Sequence, residues 1–189
     1  MTKWMKLCGV ALALGMAVLP AGAQEAAKKE PPKPAPGPAQ AVLEQWNEIG
    51  RKLVAIAEDL PEDKYDYKPN PDSRTFVGQL LHASASMYYF TDFAMGQKPR
   101  YPDDPKRDNL KTKAEIVAFV KKSVQDGADA IKAKGDKGLN EAVNDGGPHL
   151  DRLYDLAYGL IEHSGEHYGQ LVVYYRASGM VPPESKPKK

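Results

Sequence analysis

The chain has 189 residues, 42% hydrophobic and 27% charged, which is enough for one soluble domain with a real core and too little for two ordinary ones. A formal net charge of +1 leaves no electrostatic footprint for nucleic acid or an acidic membrane surface. The single cysteine, Cys8, excludes an internal disulfide framework.

The first segment, "MTKWMKLCGVALALGMAVLPAGAQ", places Lys3 and Lys6 before an apolar run from Leu7 to Leu19. The run ends on Ala21-Gly22-Ala23, small residues where a signal peptidase reads. It is shorter than the roughly 20 apolar residues of a spanning helix. Residues 1–23 therefore read as a signal peptide, and the mature chain as exported, periplasmic or secreted, with no membrane anchor after cleavage. Cys8 lies at the start of the run, so it is not a lipoprotein-type acylated cysteine. Cleavage removes Cys8 and two lysines, which takes the formal charge to −1 and leaves metal chemistry to histidine and carboxylate. Residues 24–38, rich in Pro, Ala and Lys, read as a disordered linker, and residues 181–189 as a disordered tail.

Between them, residues 39–180 carry four stretches of helical periodicity. The first spans about Gln40 to Asp59, with Val42, Trp46, Ile49, Leu53, Ile56 and Leu60 on one stripe and Pro61 as its stop. The second runs from about Thr75 to Met95, apolar on so many sides that it must be mostly buried. The third opens on the capping box of Thr112 and Glu115 and carries Ile116, Val120, Val124 and Ile131. The fourth starts near His149 or Leu150 and ends at Gly179. The intervening loops are turn-rich, the last with a short helical turn expected around Leu139 to Val143, and no strand-like alternation survives. Four such helices in one domain predict an all-α four-helix bundle; loop lengths leave the topology open.

The chemistry concentrates in "EHSGEHYGQ", Glu162 to Gln170. At about 100° per residue, His163 and His167 share the edge of the core stripe, one turn apart, so both rings can converge on one cation. A third ligand is needed, and His82, on the groove side of the second helix among small neighbours, can supply it. The alternative is that the three rings are satisfied by hydrogen bonds within the bundle. His149, beside Pro148, reads as a surface or capping residue. The reversed zinc-protease motif H-x-x-E-H fails: Glu166 lies about 100° from His167, off the ligand face, and no downstream carboxylate sits on a fold element. Gln170, one turn beyond His167, is the weak candidate for orienting a metal-bound ligand.

Three stretches resemble the DinB/YfiT-like superfamily of four-helix metalloproteins: "LPEDKYDYKP", "KYDYKPNPDSRTFVGQLLH" ending on His82, and "HSGEHYGQLVVYYRASGMVPP" with His163, His167, Gly169 and Gln170. The resemblance implies a DinB-like bundle with one divalent cation (zinc, nickel or iron) held by His82, His163 and His167. It also implies a metal-dependent transferase or hydrolase acting on a small-molecule substrate, with a homodimer as an open assembly. Thiol-dependent S-transferases and an isomerase occur among characterised relatives. The export signal departs from that pattern, since the thiols those transferases use are mainly cytosolic. The competing reading is a non-catalytic periplasmic bundle that binds a metal or a small ligand.

Overall fold

Pro38 presets the first helical turn, where its missing N–H costs nothing, and α1 (Pro38–Asp59) begins there. A computed structural model describes residues 35–101 and 104–187, so the expected signal peptide and most of the linker lie outside the described residues. Three further helices follow: α2 (Phe76–Ala94), α3 (Lys113–Leu139) and α4 (Leu153–Ala177). All six residues of the predicted α1 stripe are buried, and so is the broad apolar surface of α2. None of the four helices is long and apolar enough to cross a membrane.

Local signals set the helix ends. The Thr75 hydroxyl accepts a hydrogen bond from Gly78 N at 3.1 Å, which starts α2. The Thr112–Glu115 box closes as expected: Thr112 Oγ1 accepts from Glu115 N, and the Glu115 carboxylate accepts from Thr112 N. Gly179, at φ +78°, ends α4 in a Schellman arrangement, in which Met180 N donates to Tyr175 O and Gly179 N to Arg176 O. The start of α4 falls at Leu153, later than expected. Asp151 and Arg152 instead form a two-residue strand, β2, paired antiparallel with β1 (Ala142–Val143). The sequence reading of no strand, and of a helical turn reaching Val143, is corrected here. The helical residues stop at Leu139, after a kink at Gly135, and only two residues then pair, too few for an alternating pattern to register.

Around the bundle the order is α1–α3–α2–α4. α1 packs on α3 and α4, α2 packs on the same two, and the pairs α1/α2 and α3/α4 lie across the diagonals. Trp46, Leu53, Ile56, Phe76, Leu80, Met87, Phe90, Ile116 and Tyr175 fill the centre. Trp46 sits against Phe90 and donates its indole N–H to Val124 O at 2.9 Å. α1 and α3 touch where side chains are missing: a Cβ on Gly127 would meet Trp46 Cζ2 at 2.0 Å, and one on Gly50 would meet Val124 Cγ1 at 2.3 Å. The α2/α4 pair is where the histidines lie.

The segment after Val181 has more structure than its composition predicts. A 3-10 turn at Pro183–Ser185 lies against α1, with Glu184 accepting two hydrogen bonds from Arg51 (2.7 and 2.8 Å) and Lys186 paired with Asp59. Composition could not reveal this, because the tail's few charges find their complements on a helix far away in sequence. The pairs are solvent-exposed, so Glu184→Ala should cost roughly 1 kcal/mol or less. That corresponds to a drop of no more than about 4 °C in a thermal melt.

Candidate metal centre

α2 and α4 each present a groove-facing edge, and His82 meets His163 and His167 between them. One ring nitrogen from each lies within 4.8 Å of the others. Ring centroids are 5.2 Å apart for His82–His163, 4.6 Å for His82–His167 and 4.2 Å for His163–His167. Nε2 of His163 and Nε2 of His167 face each other at 3.0 Å, as the i, i+4 spacing on one helix edge requires. The triad is sheltered: His167 is 6% exposed, and His82 and His163 are half-buried.

Burial, followed by the neighbouring rings of His167 and His82, pushes the His163 imidazole down to about 4. His167 is also lowered, with burial the main cause and its hydrogen bond to Gln170 opposing. Both rings are therefore neutral at pH 7, the form that offers a lone pair. Nδ1 of His163 is buried without a hydrogen-bond partner among the described residues. Among the described residues neither His163 nor His167 hydrogen-bonds a carboxylate that would charge-balance a protonated ring. Three imidazoles that converge within 4.8 Å, with His163 and His167 neutral, fit a divalent cation.

The outer edges of two rings are held. His82 Nδ1 lies 2.5 Å from Asp104 Oδ1. His167 Nδ1 lies 2.9 Å from Gln170 Oε1 and 2.5 Å from the amide nitrogen of Gln79, and that amide also donates to Gln170 Oε1. Gln170 thus meets His167 on the ring edge away from His163. Glu166 is exposed, 3.5 Å from the Gln170 amide, and makes no hydrogen bond to a histidine. His149 sits at the surface, its side chain 72% exposed and 3.3 Å from Asp151, apart from the triad.

Two partners escaped the sequence reading. Gln79, 2% exposed in the first turn of the apolar helix α2 and one turn before His82, is a buried polar residue that needs a partner, and that is a usable signal. Asp104 stands in a loop with no periodicity, and nothing in the sequence marks it.

The loops around the site are well tied. In the α1–α2 loop, Asn70 Oδ1 accepts from Asp72 N and Ser73 N, and Tyr174 of α4 donates its hydroxyl to Arg74 O. A cleft of about 730 Å³ opens beside this loop, lined by Asn70, Arg74, Gln79, Gln170, Val173 and Tyr174. Gln79 and Gln170 separate it from His167. After α2, buried Asp92 takes the Arg100 guanidinium and its backbone N–H (2.8 Å), which turns the chain back towards the triad.

The DinB superfamily model matches residues 45–171, which include all three histidines and Gln170. The chain belongs to the DinB superfamily. The crystal structure of a DinB-like protein from Bacillus subtilis superposes with a TM-score of 0.62 at 18% identity, covering 75% of this chain and 93% of that one. At that identity the likeness speaks for the DinB fold alone. Comparison with curated proteins gives no match.

Proposed function

We propose that this DinB-superfamily protein is an exported, metal-dependent transferase or hydrolase that holds one divalent cation on His82, His163 and His167 and acts on a small molecule. The observation that carries the reading is the convergence of three imidazoles within 4.8 Å, with no carboxylate among them. Three neutral ligands leave the +2 charge of the cation uncompensated. Zinc, nickel and iron all suit such a donor set. Bound there, the cation would supply Lewis-acid chemistry to water or to a substrate oxygen or sulfur. The protein's own part is to exclude bulk water by packing α2 against α4, to keep His163 and His167 neutral by burial, and to aim His167 through Gln170 and Gln79. The adjoining cleft is of a size suited to a small molecule.

Elemental analysis of the mature chain, purified without added metal, should find about one zinc, nickel or iron per chain. A preparation free of divalent metal that also takes none up on titration would sink the reading. Loaded protein should then turn over members of a thiol-transfer and ester-hydrolysis panel. Tight metal binding with no turnover across that panel would instead favour the non-catalytic binding bundle.

A further inference from the structure

A histidine that coordinates through Nε2 carries its proton on Nδ1, and the acceptor of that proton fixes the tautomer and the ring's aim. The three rings here are supported unequally. His167 Nδ1 meets two neutral amides, the Gln170 oxygen and the Gln79 nitrogen, and His163 Nδ1 has no partner among the described residues. His82 Nδ1 has a carboxylate, Asp104 Oδ1, at 2.5 Å. The other carboxylate oxygen is also engaged: Arg74 Nε donates to Asp104 Oδ2 at 3.1 Å. Arg74 in turn is fixed by its backbone carbonyl to the Tyr174 hydroxyl of α4. Among the described residues, the side chains from outside the triad that hydrogen-bond its rings are Gln79 of α2, Gln170 of α4 and Asp104 of the loop between α2 and α3.

Resting on the metal-centre reading above, we propose that Asp104 is a positioning residue for the cation: it holds His82 in the Nδ1–H tautomer and turns its Nε2 to the site, while Arg74 holds Asp104. A carboxylate is the strongest neutral-pH acceptor a protein can offer an imidazole N–H, and it raises the donor strength of the opposite nitrogen. His82 needs this support more than the other two rings, because it stands alone on α2 while His163 and His167 brace one another on α4. Asp104 has two tethers of its own. Arg74 fixes it on one side, and the Asp92–Arg100 pair draws the preceding segment back along α2 on the other.

The test is zinc affinity, measured against a competing chelator on the mature full-length chain, for the wild type, Asp104→Ala and Asp104→Asn. Asp104→Ala should weaken zinc binding by about 10–100-fold, the usual effect of losing such a partner. The visible spectrum of the cobalt-substituted protein should change with it, because the His82 ring is released. Asp104→Asn keeps an oxygen that can accept the Nδ1 proton, so it should recover part of the affinity. The metal-free melting temperature should stay near that of the wild type in both variants, since the Asp104 side chain is 45% exposed. Unchanged zinc affinity and an unchanged cobalt spectrum in Asp104→Ala, with the wild type binding one zinc, would overturn the assignment while leaving the metal centre intact. Loss of affinity that Asp104→Asn does not relieve, together with a lower metal-free melting temperature, would also overturn it, as loop collapse. A wild type that takes up no zinc, nickel or iron would bring down the metal reading itself, and this inference with it.

Discussion

Stripping the divalent cation from the purified chain should lower its melting temperature by about 8–16 °C. A ligand that binds only the native state at about a thousand times its dissociation constant adds about 4.1 kcal/mol. A domain of roughly 150–250 residues moves about 2–4 °C per kcal/mol. In this bundle the cation would join α2 to α4 at their buried edges, so its loss is felt by both helices at once. His163→Ala should erase the shift, because it removes one of the two Nε2 atoms that face each other at 3.0 Å. The metal-free stability of that variant should lie close to that of the metal-free wild type. The His163 ring is held away from water with Nδ1 unpartnered, so truncating it relieves one burial cost while losing some packing. Calorimetry of wild type and His163→Ala, with and without chelator, separates these terms. A native preparation whose melt is indifferent to complete removal of its metal would mean that the triad is a structural cluster.

The parts of this protein that could be read in the sequence are those encoded by local periodicity. Val42 to Ala57 of α1 and Phe76 to Ala94 of α2 declare their buried faces because the 3.6-residue repeat is written into each helix separately. The His163–His167 pair is local in the same sense, since one turn of helix fixes the geometry. His82 was accessible by a different route. It sat off the main stripe of a nearly all-apolar helix, and its motif resembled a family whose membership the match over residues 45–171 now establishes.

The rest depends on which surfaces meet, and periodicity is silent on that. The order α1–α3–α2–α4 sets sequence neighbours α1 and α2 on a diagonal, and the long, turn-rich loops permit it without requiring it. Asp104 reaches His82 from a loop in which Arg100 is held by the buried Asp92. Charge complementarity across 133 residues docks Glu184 on Arg51. In each case the deciding interaction links residues with no shared pattern. Gln79 is the exception, where a buried amide in an apolar helix already implied a polar partner.

The glycine contact that lets α1 and α3 approach gives the second large effect. Gly127→Ala should destabilise the protein by about 1–3 kcal/mol, the typical cost of overpacking a tight core. Helix propensity argues the other way, because alanine is favoured over glycine in a helix interior by about 1 kcal/mol. Sterics win because the added methyl would sit 2.0 Å from Trp46 Cζ2 and 2.5 Å from Cε2. Trp46 cannot withdraw cheaply: its ring is fully buried against Phe90, and its N–H is committed to Val124 O on α3 itself. The double variant Trp46→Phe/Gly127→Ala should be more stable than the sum of the single effects predicts, since phenylalanine lacks the atoms that clash. A favourable coupling of about 1 kcal/mol or more in a denaturant-melt cycle is expected for residues in such contact. Additive effects would mean that the helices slide apart to admit the methyl, and that the close approach is not what Gly127 provides. Because the α1/α3 contact lies across the bundle from the α2/α4 groove, zinc affinity of the folded Gly127→Ala protein should match the wild type, which separates the scaffold from the site it carries.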